Sequence, residues 1–171
     1  MVDIRERVAE DRGLLKRIQL LIPGFAGYRR KEDLRQADSI LRIQIANRLK
    51  EARLRLEGHR TTLADNYELK AIEPLGRAIL EAQELEGLIR HAEQGYSGFS
   101  FAIQVKENEL DRLYEFDLSL LEGIQSLDAR IAAIAEPGKA LPSVKECIGI
   151  LEQVRLTFKR RIAAITGTEV A

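Results

Sequence analysis

The sequence predicts an all-α fold, an elongated antiparallel bundle of about five helices, on three observations. Apolar residues recur at three- and four-residue spacing through most of the chain, the period of a helix with one buried face. No segment alternates polar and apolar residues for long; Phe99 to Val105 is the only candidate strand, and one short strand cannot build a sheet. Finally, a five-residue pattern occurs twice, as Gly24-Phe25-Ala26-Gly27-Tyr28 and Gly95-Tyr96-Ser97-Gly98-Phe99, each time between one helical pattern and the next. The repeated unit of helix, Gly-aromatic loop and long helix suggests pseudo-twofold order within a single helical domain over residues 1–171. A chain of this length buries about 68–70% of its extended-chain surface, enough for a core without disulfides or structural metal.

The first helix follows Ile4, Val8, Leu15, Ile18 and Ile22, and Pro23-Gly24 stops it. The second begins beyond Tyr28 and runs through Leu34, Leu41, Ile45, Leu49, Ala52 and Leu56. Its end is open between Gly58 and about residue 72, because Asp65 and Asn66 equally suit the cap of a new helix. Pro74 fits the first turn of a third helix, which continues through Leu75, Ala78, Ile79, Ala82, Leu85, Ile89 and Ala92 to Gly95. In the fourth, Leu110, Leu113, Leu120, Ile124, Leu127, Ile131 and Ile134 form a nearly unbroken seam, closed by Glu136-Pro137-Gly138. Ser143 is the expected cap of a fifth helix carrying Val144, Ile148, Leu151, Phe158, Ile162 and Ile165.

The formal charge is zero, yet charge is segregated: residues 1–60 carry a net +6, residues 61–136 carry −9 and residues 137–171 carry +3. A basic helix lying beside an acidic one accounts for this without any external partner. The single cysteine, Cys147, sits among apolar neighbours and reads as a small core residue in a reducing compartment. The charged N-terminal segment has no apolar core of a signal peptide, and no stretch approaches the ~20 apolar residues of a membrane span, so a cytoplasmic location is expected.

Two aspartates break the apolar stripes at matching places, Asp38 four residues after Leu34 and Asp117 four after Leu113. A buried carboxylate requires a cation or good donors. Candidate partners are the loop N–H groups, the hydroxyls of Tyr28, Tyr96 or Tyr114, and Arg35. The structural expectation is that Asp38 and Asp117 latch the two glycine loops, whose contact residues are Gly24, Phe25, Gly27, Tyr28, Gly95, Tyr96, Gly98 and Phe99. The sharper reading makes the aspartates a carboxylate pair for metal, small-molecule or acid–base chemistry, as facing helices in bundles can provide. Against it, neither His59 nor His91 follows a glutamate by three positions, so the Glu-x-x-His signature is missing; no cofactor or metal is expected.

The first loop is followed by Arg29, Arg30 and Lys31, which admits a phosphate cradle, but GxxxxGK[ST] and its strand are absent. A stripe of Arg35, Arg42, Arg48 and Arg55 on the second helix is the candidate for anionic lipid or nucleic acid. Acidic neighbours, a pI near 6.8 and the absence of tryptophan make nucleic acid a poor match. Serine-elbow and cysteine–histidine patterns are absent. The preferred function is therefore a non-enzymatic interaction or scaffold module, with a protein partner or self-association. Ile40, Ile43 and Leu54, outside the main stripe of the second helix, suit either a second contact surface or the cover of the fifth helix.

Overall fold

The computed structural model describes residues 4–25, 27, 31–95 and 107–167. These form five helices: α1 (Ile4–Leu21), α2 (Lys31–Asp65), α3 (Leu69–Gly95), α4 (Glu107–Ala133) and α5 (Ala140–Thr166). There is no strand among the described residues; the segment Phe99 to Val105 lies outside them.

The four long helices pack in a ring, α2 on α3, α3 on α5, α5 on α4 and α4 on α2, and α1 packs against α4. Ion pairs fix the directions. Arg77 meets Glu152 and Glu81 meets Arg155, so α3 and α5 run the same way. Arg55 meets Asp128, while Leu63 and Ile134 line one small cavity farther along, so α2 and α4 also run together. Each of α2–α3 and α4–α5 is an antiparallel hairpin, and the two hairpins are set side by side; this division of the chain differs from the sequence repeat, which joins α1 to α2 and α3 to α4. At 1.5 Å per residue, the 35-residue α2 is about 52 Å long, which makes the bundle elongated.

The core follows the sequence stripes. Leu41, Ile45, Leu49, Ala52 and Leu56 of α2 are fully buried, as are Leu75, Ala78, Ala82, Leu85 and Ile89 of α3 and Leu120, Ile124 and Leu127 of α4. Charge segregation is resolved internally: basic α2 pairs with acidic α3 through Arg53 and Glu86, and α5 pairs with α3 through Arg155, Glu81 and Glu84.

Three boundaries are settled by turn geometry. Helix α2 continues through Gly58 to Asp65 and ends in a Schellman-type turn. The Glu68 N–H donates to the Leu63 carbonyl at 2.9 Å and the Tyr67 N–H to the Ala64 carbonyl at 3.1 Å, with Tyr67 left-handed at φ 57°. Helix α3 starts five residues before Pro74, because buried Ala71 extends the apolar stripe toward the N-terminus. Ser143 is not the cap of α5. The helix begins at Ala140, Lys139 holds the cap position without a side-chain hydrogen bond, and the Ser143 N–H donates to the Lys139 carbonyl at 3.0 Å. The turn through Gly138, at φ 73°, leads directly into the helix and leaves no place for a serine cap three residues later.

Candidate functional site

Asp38 and Asp117 are both buried, with 2% and 0% of their surface exposed, and the structure brings them to one place. The cation between them is Arg161 of α5, itself fully buried. Its Nε donates to Asp117 Oδ1 at 2.6 Å and its Nη1 to Asp38 Oδ1 at 2.5 Å. The other Asp38 oxygen accepts from Arg42 Nε at 2.8 Å, one helical turn along α2. Arg42 Nη1 then reaches α3, 3.2 Å from the Arg90 carbonyl and 3.4 Å from that of Ile89. These contacts bring two carboxylates and two guanidinium groups together from α2, α4 and α5, and α3 contributes two backbone carbonyls.

This geometry determines what the cluster can do. Arginine keeps its proton at every accessible pH, so it neither accepts a proton from a carboxylate nor passes one on. Both Asp38 oxygens and Asp117 Oδ1 accept from guanidinium N–H groups at charge-assisted distances. The cluster links α2, α4 and α5 by ion pairs and reaches α3 through two backbone carbonyls. Among the described residues, no group of three or more His, Cys, Asp or Glu side chains is close enough to hold a metal ion.

The first glycine loop is a packed corner. Phe25 is 1% exposed, its carbonyl accepts from Gln19 Nε2 at 2.9 Å, and its N–H donates to the Ile22 carbonyl at 3.2 Å. Gly27 has φ 83°, and a Cβ there would lie 2.8 Å from Tyr114 Oη and 3.0 Å from Leu15 Cδ1. Only glycine fits between the corner and α4. Gly24 has φ 87° with open space around it. Gly95 is the last residue of α3, while Tyr28, Tyr96, Gly98 and Phe99 lie outside the described residues, as do Arg29 and Arg30.

The expected basic stripe does not form one solvent-facing track. Arg35 is exposed, but Arg42 belongs to the buried cluster. Arg48 Nη2 donates to the Leu21 carbonyl at 2.7 Å, satisfying an end of α1, and Arg55 pairs with Asp128. A seven-residue spacing places side chains on roughly the same side of a helix, and on α2 part of that side is core.

Arg161 was missed in the sequence-level site. Its signal was available: Leu151, Val154, Phe158 and Ile165 are buried, and position 161 falls in that same three- and four-residue series. The run Lys159-Arg160-Arg161 hides it, since three adjacent basic residues suggest a solvated face.

The chain matches no protein-family model, and no curated protein or solved structure matches it.

Proposed function

We propose that this chain is a non-enzymatic helical interaction module, acting in the cytoplasm through self-association or a protein partner. The observation that carries the reading is the pairing of Asp38 and Asp117 with Arg161 and Arg42: the carboxylates that could have served chemistry are engaged in joining four helices. The outside of the bundle supports the same reading. Ile43 and Leu54 on α2 and Leu69 and Leu80 on α3 are large apolar side chains between 46% and 63% exposed. No described helix is long and apolar enough to cross a membrane. Cys147 suits a reducing compartment, being buried with its thiol pKa pushed up to about 12, chiefly by desolvation.

The test combines affinity capture from nuclease-treated native lysate with light scattering of the purified chain over a range of concentrations. A retained protein partner, or a mass that rises with concentration, is the expected result. A chain that stays monomeric and retains nothing overturns the proposal.

A further inference from the structure

The outer face of α2 carries a pattern that the monomer does not use. Ile43 and Leu54 are eleven residues apart, three helical turns, and therefore lie on nearly the same side of the helix; they are 46% and 51% exposed. Asn47, Lys50, Glu51, Gly58 and Thr61 are exposed along the same helix. Gly58 is especially informative. A glycine inside a helix costs about 1 kcal/mol relative to alanine, and a Cβ at this position would meet nothing within 4 Å, so packing within the monomer does not require it.

The charges around Leu54 are self-complementary when the helix is reversed. Lys50 and Glu57 lie at equal distances on either side of the midpoint between Arg53 and Leu54, and Glu51 and Arg55 are symmetric about Arg53. Among the described residues, Lys50 and Glu51 enter no ion pair, while Glu57 and Arg55 remain 41% and 47% exposed despite their contacts with Arg53 and Asp128. A second α2 laid antiparallel across this face, with the twofold axis level with the midpoint between Arg53 and Leu54, brings each Leu54 within one residue rise, about 1.5 Å, of its own counterpart. Lys50 is then level with Glu57 of the other copy, Glu51 lies one residue rise from level with its Arg55, and each of these pairs occurs twice. A twofold axis requires this self-matching of one patch. Gly58 leaves room for the opposing Lys50 stem to pass over the helix toward Glu57.

We infer that α2 is the interface of an antiparallel, twofold homodimer centred between Arg53 and Leu54. The inference rests on the interaction-module reading and names its partner as a second copy of this chain. One helix pair buries less than a standard interface, so the dimer belongs to the weak class, with a dissociation constant of about 10–100 μM.

Charge reversal tests the geometry. Light scattering at ~200 μM, above that range, is expected to show wild type approaching twice the 19.3 kDa chain mass. Lys50→Glu and Glu57→Lys, each of which places like charges opposite one another twice, are expected to remain monomers. An equimolar mixture of the two variants restores both attractions and is expected to return to the dimer mass, as is the double variant Lys50→Glu/Glu57→Lys. Both positions are exposed, and unchanged circular dichroism and melting confirm that each variant is folded. A monomeric wild type, single variants that dimerise undiminished, or a mixture that stays monomeric overturns the inference. Capture of a foreign protein by a monomeric wild type would overturn this interface and leave the interaction-module reading standing.

Discussion

Replacing Arg161 by methionine tests the central cluster most directly. The arginine is fully buried and donates to Asp117 at 2.6 Å and to Asp38 at 2.5 Å. In Arg161→Met, Asp38 keeps Arg42 at 2.8 Å, and the wholly buried Asp117 loses the 2.6 Å hydrogen bond from Arg161 Nε. Breaking a buried pair from one side costs about 3–5 kcal/mol, because the surviving charge stays in a low-dielectric site. In a domain of this size, 1 kcal/mol shifts the melting temperature by about 2–4 °C, so a loss of roughly 10 °C is expected. The informative companion is Arg161→Met/Asp117→Leu, which removes both members and leaves Asp38 and Arg42 as a neutral pair. Replacing a whole buried ion pair with apolar residues is often neutral, so this double variant should lie within about 1–2 kcal/mol of wild type. Urea denaturation followed by far-ultraviolet circular dichroism measures all three proteins. Independent sites would make the double variant's loss the sum of the two single losses, about 6–10 kcal/mol. That result, or an Arg161→Met protein within about 1 kcal/mol of wild type, would refute the reasoning.

Other sites give separate tests. Tyr67 occupies a left-handed position at φ 57° while 85% exposed, so Tyr67→Gly should raise the urea midpoint by about 1 kcal/mol equivalent at unchanged slope, whereas Tyr67→Ala, which keeps a Cβ, should bring no such gain. Cys147 should react with thiol reagents only on unfolding. Its thiol ionises near 9.0 in the unfolded chain and near 12 in the folded one, so its stabilising contribution is fully present below pH 9 and is lost as pH rises toward 12. That loss is at most about 1.4 kcal/mol per pH unit, and a Cys147→Val chain should lack it. At Gly123, a Cβ would lie 2.8 Å from Val154 Cγ2 where α4 meets α5, so Gly123→Ala should destabilise by about 1–3 kcal/mol. Adding Val154→Ala should recover part of that loss, visible as a nonadditive double-mutant cycle.

Helix content was legible because burial follows period: Leu120, Ile124 and Leu127 repeat as a seam and are buried as one. Boundaries were less legible where backbone geometry overrides residue preference. Tyr67 performs the left-handed turn usually given to glycine, so the break between α2 and α3 is marked in the sequence only by Asp65 and Asn66, while Gly58 inside α2 offers a competing stop. Asp38 and Asp117 stood out as carboxylates within apolar stripes, which is a local signal. Their arginines did not. Arg42 lies seven residues after Arg35 and six before Arg48, which draws it into an apparent surface stripe, and Arg161 lies 123 residues from Asp38 and is masked by adjacent basic residues. Pairing across a bundle depends on which helices are neighbours, and one chain's periodicity does not specify that.

The way the four charged residues are divided has a consequence for folding order. Asp38 and Arg42 belong to the α2–α3 hairpin, and Asp117 and Arg161 to α4–α5, so each hairpin contains its own cation and anion. Hairpins joined by short turns close quickly, because their contacts are local and little loop entropy is lost. Each can therefore reach the docking encounter already electrically neutral, and the late step of joining the halves buries no unmatched charge. Arg161 then serves two carboxylates at once, its own hairpin's Asp117 and Asp38 of the other, so the contact that joins the halves adds no net charge to the core.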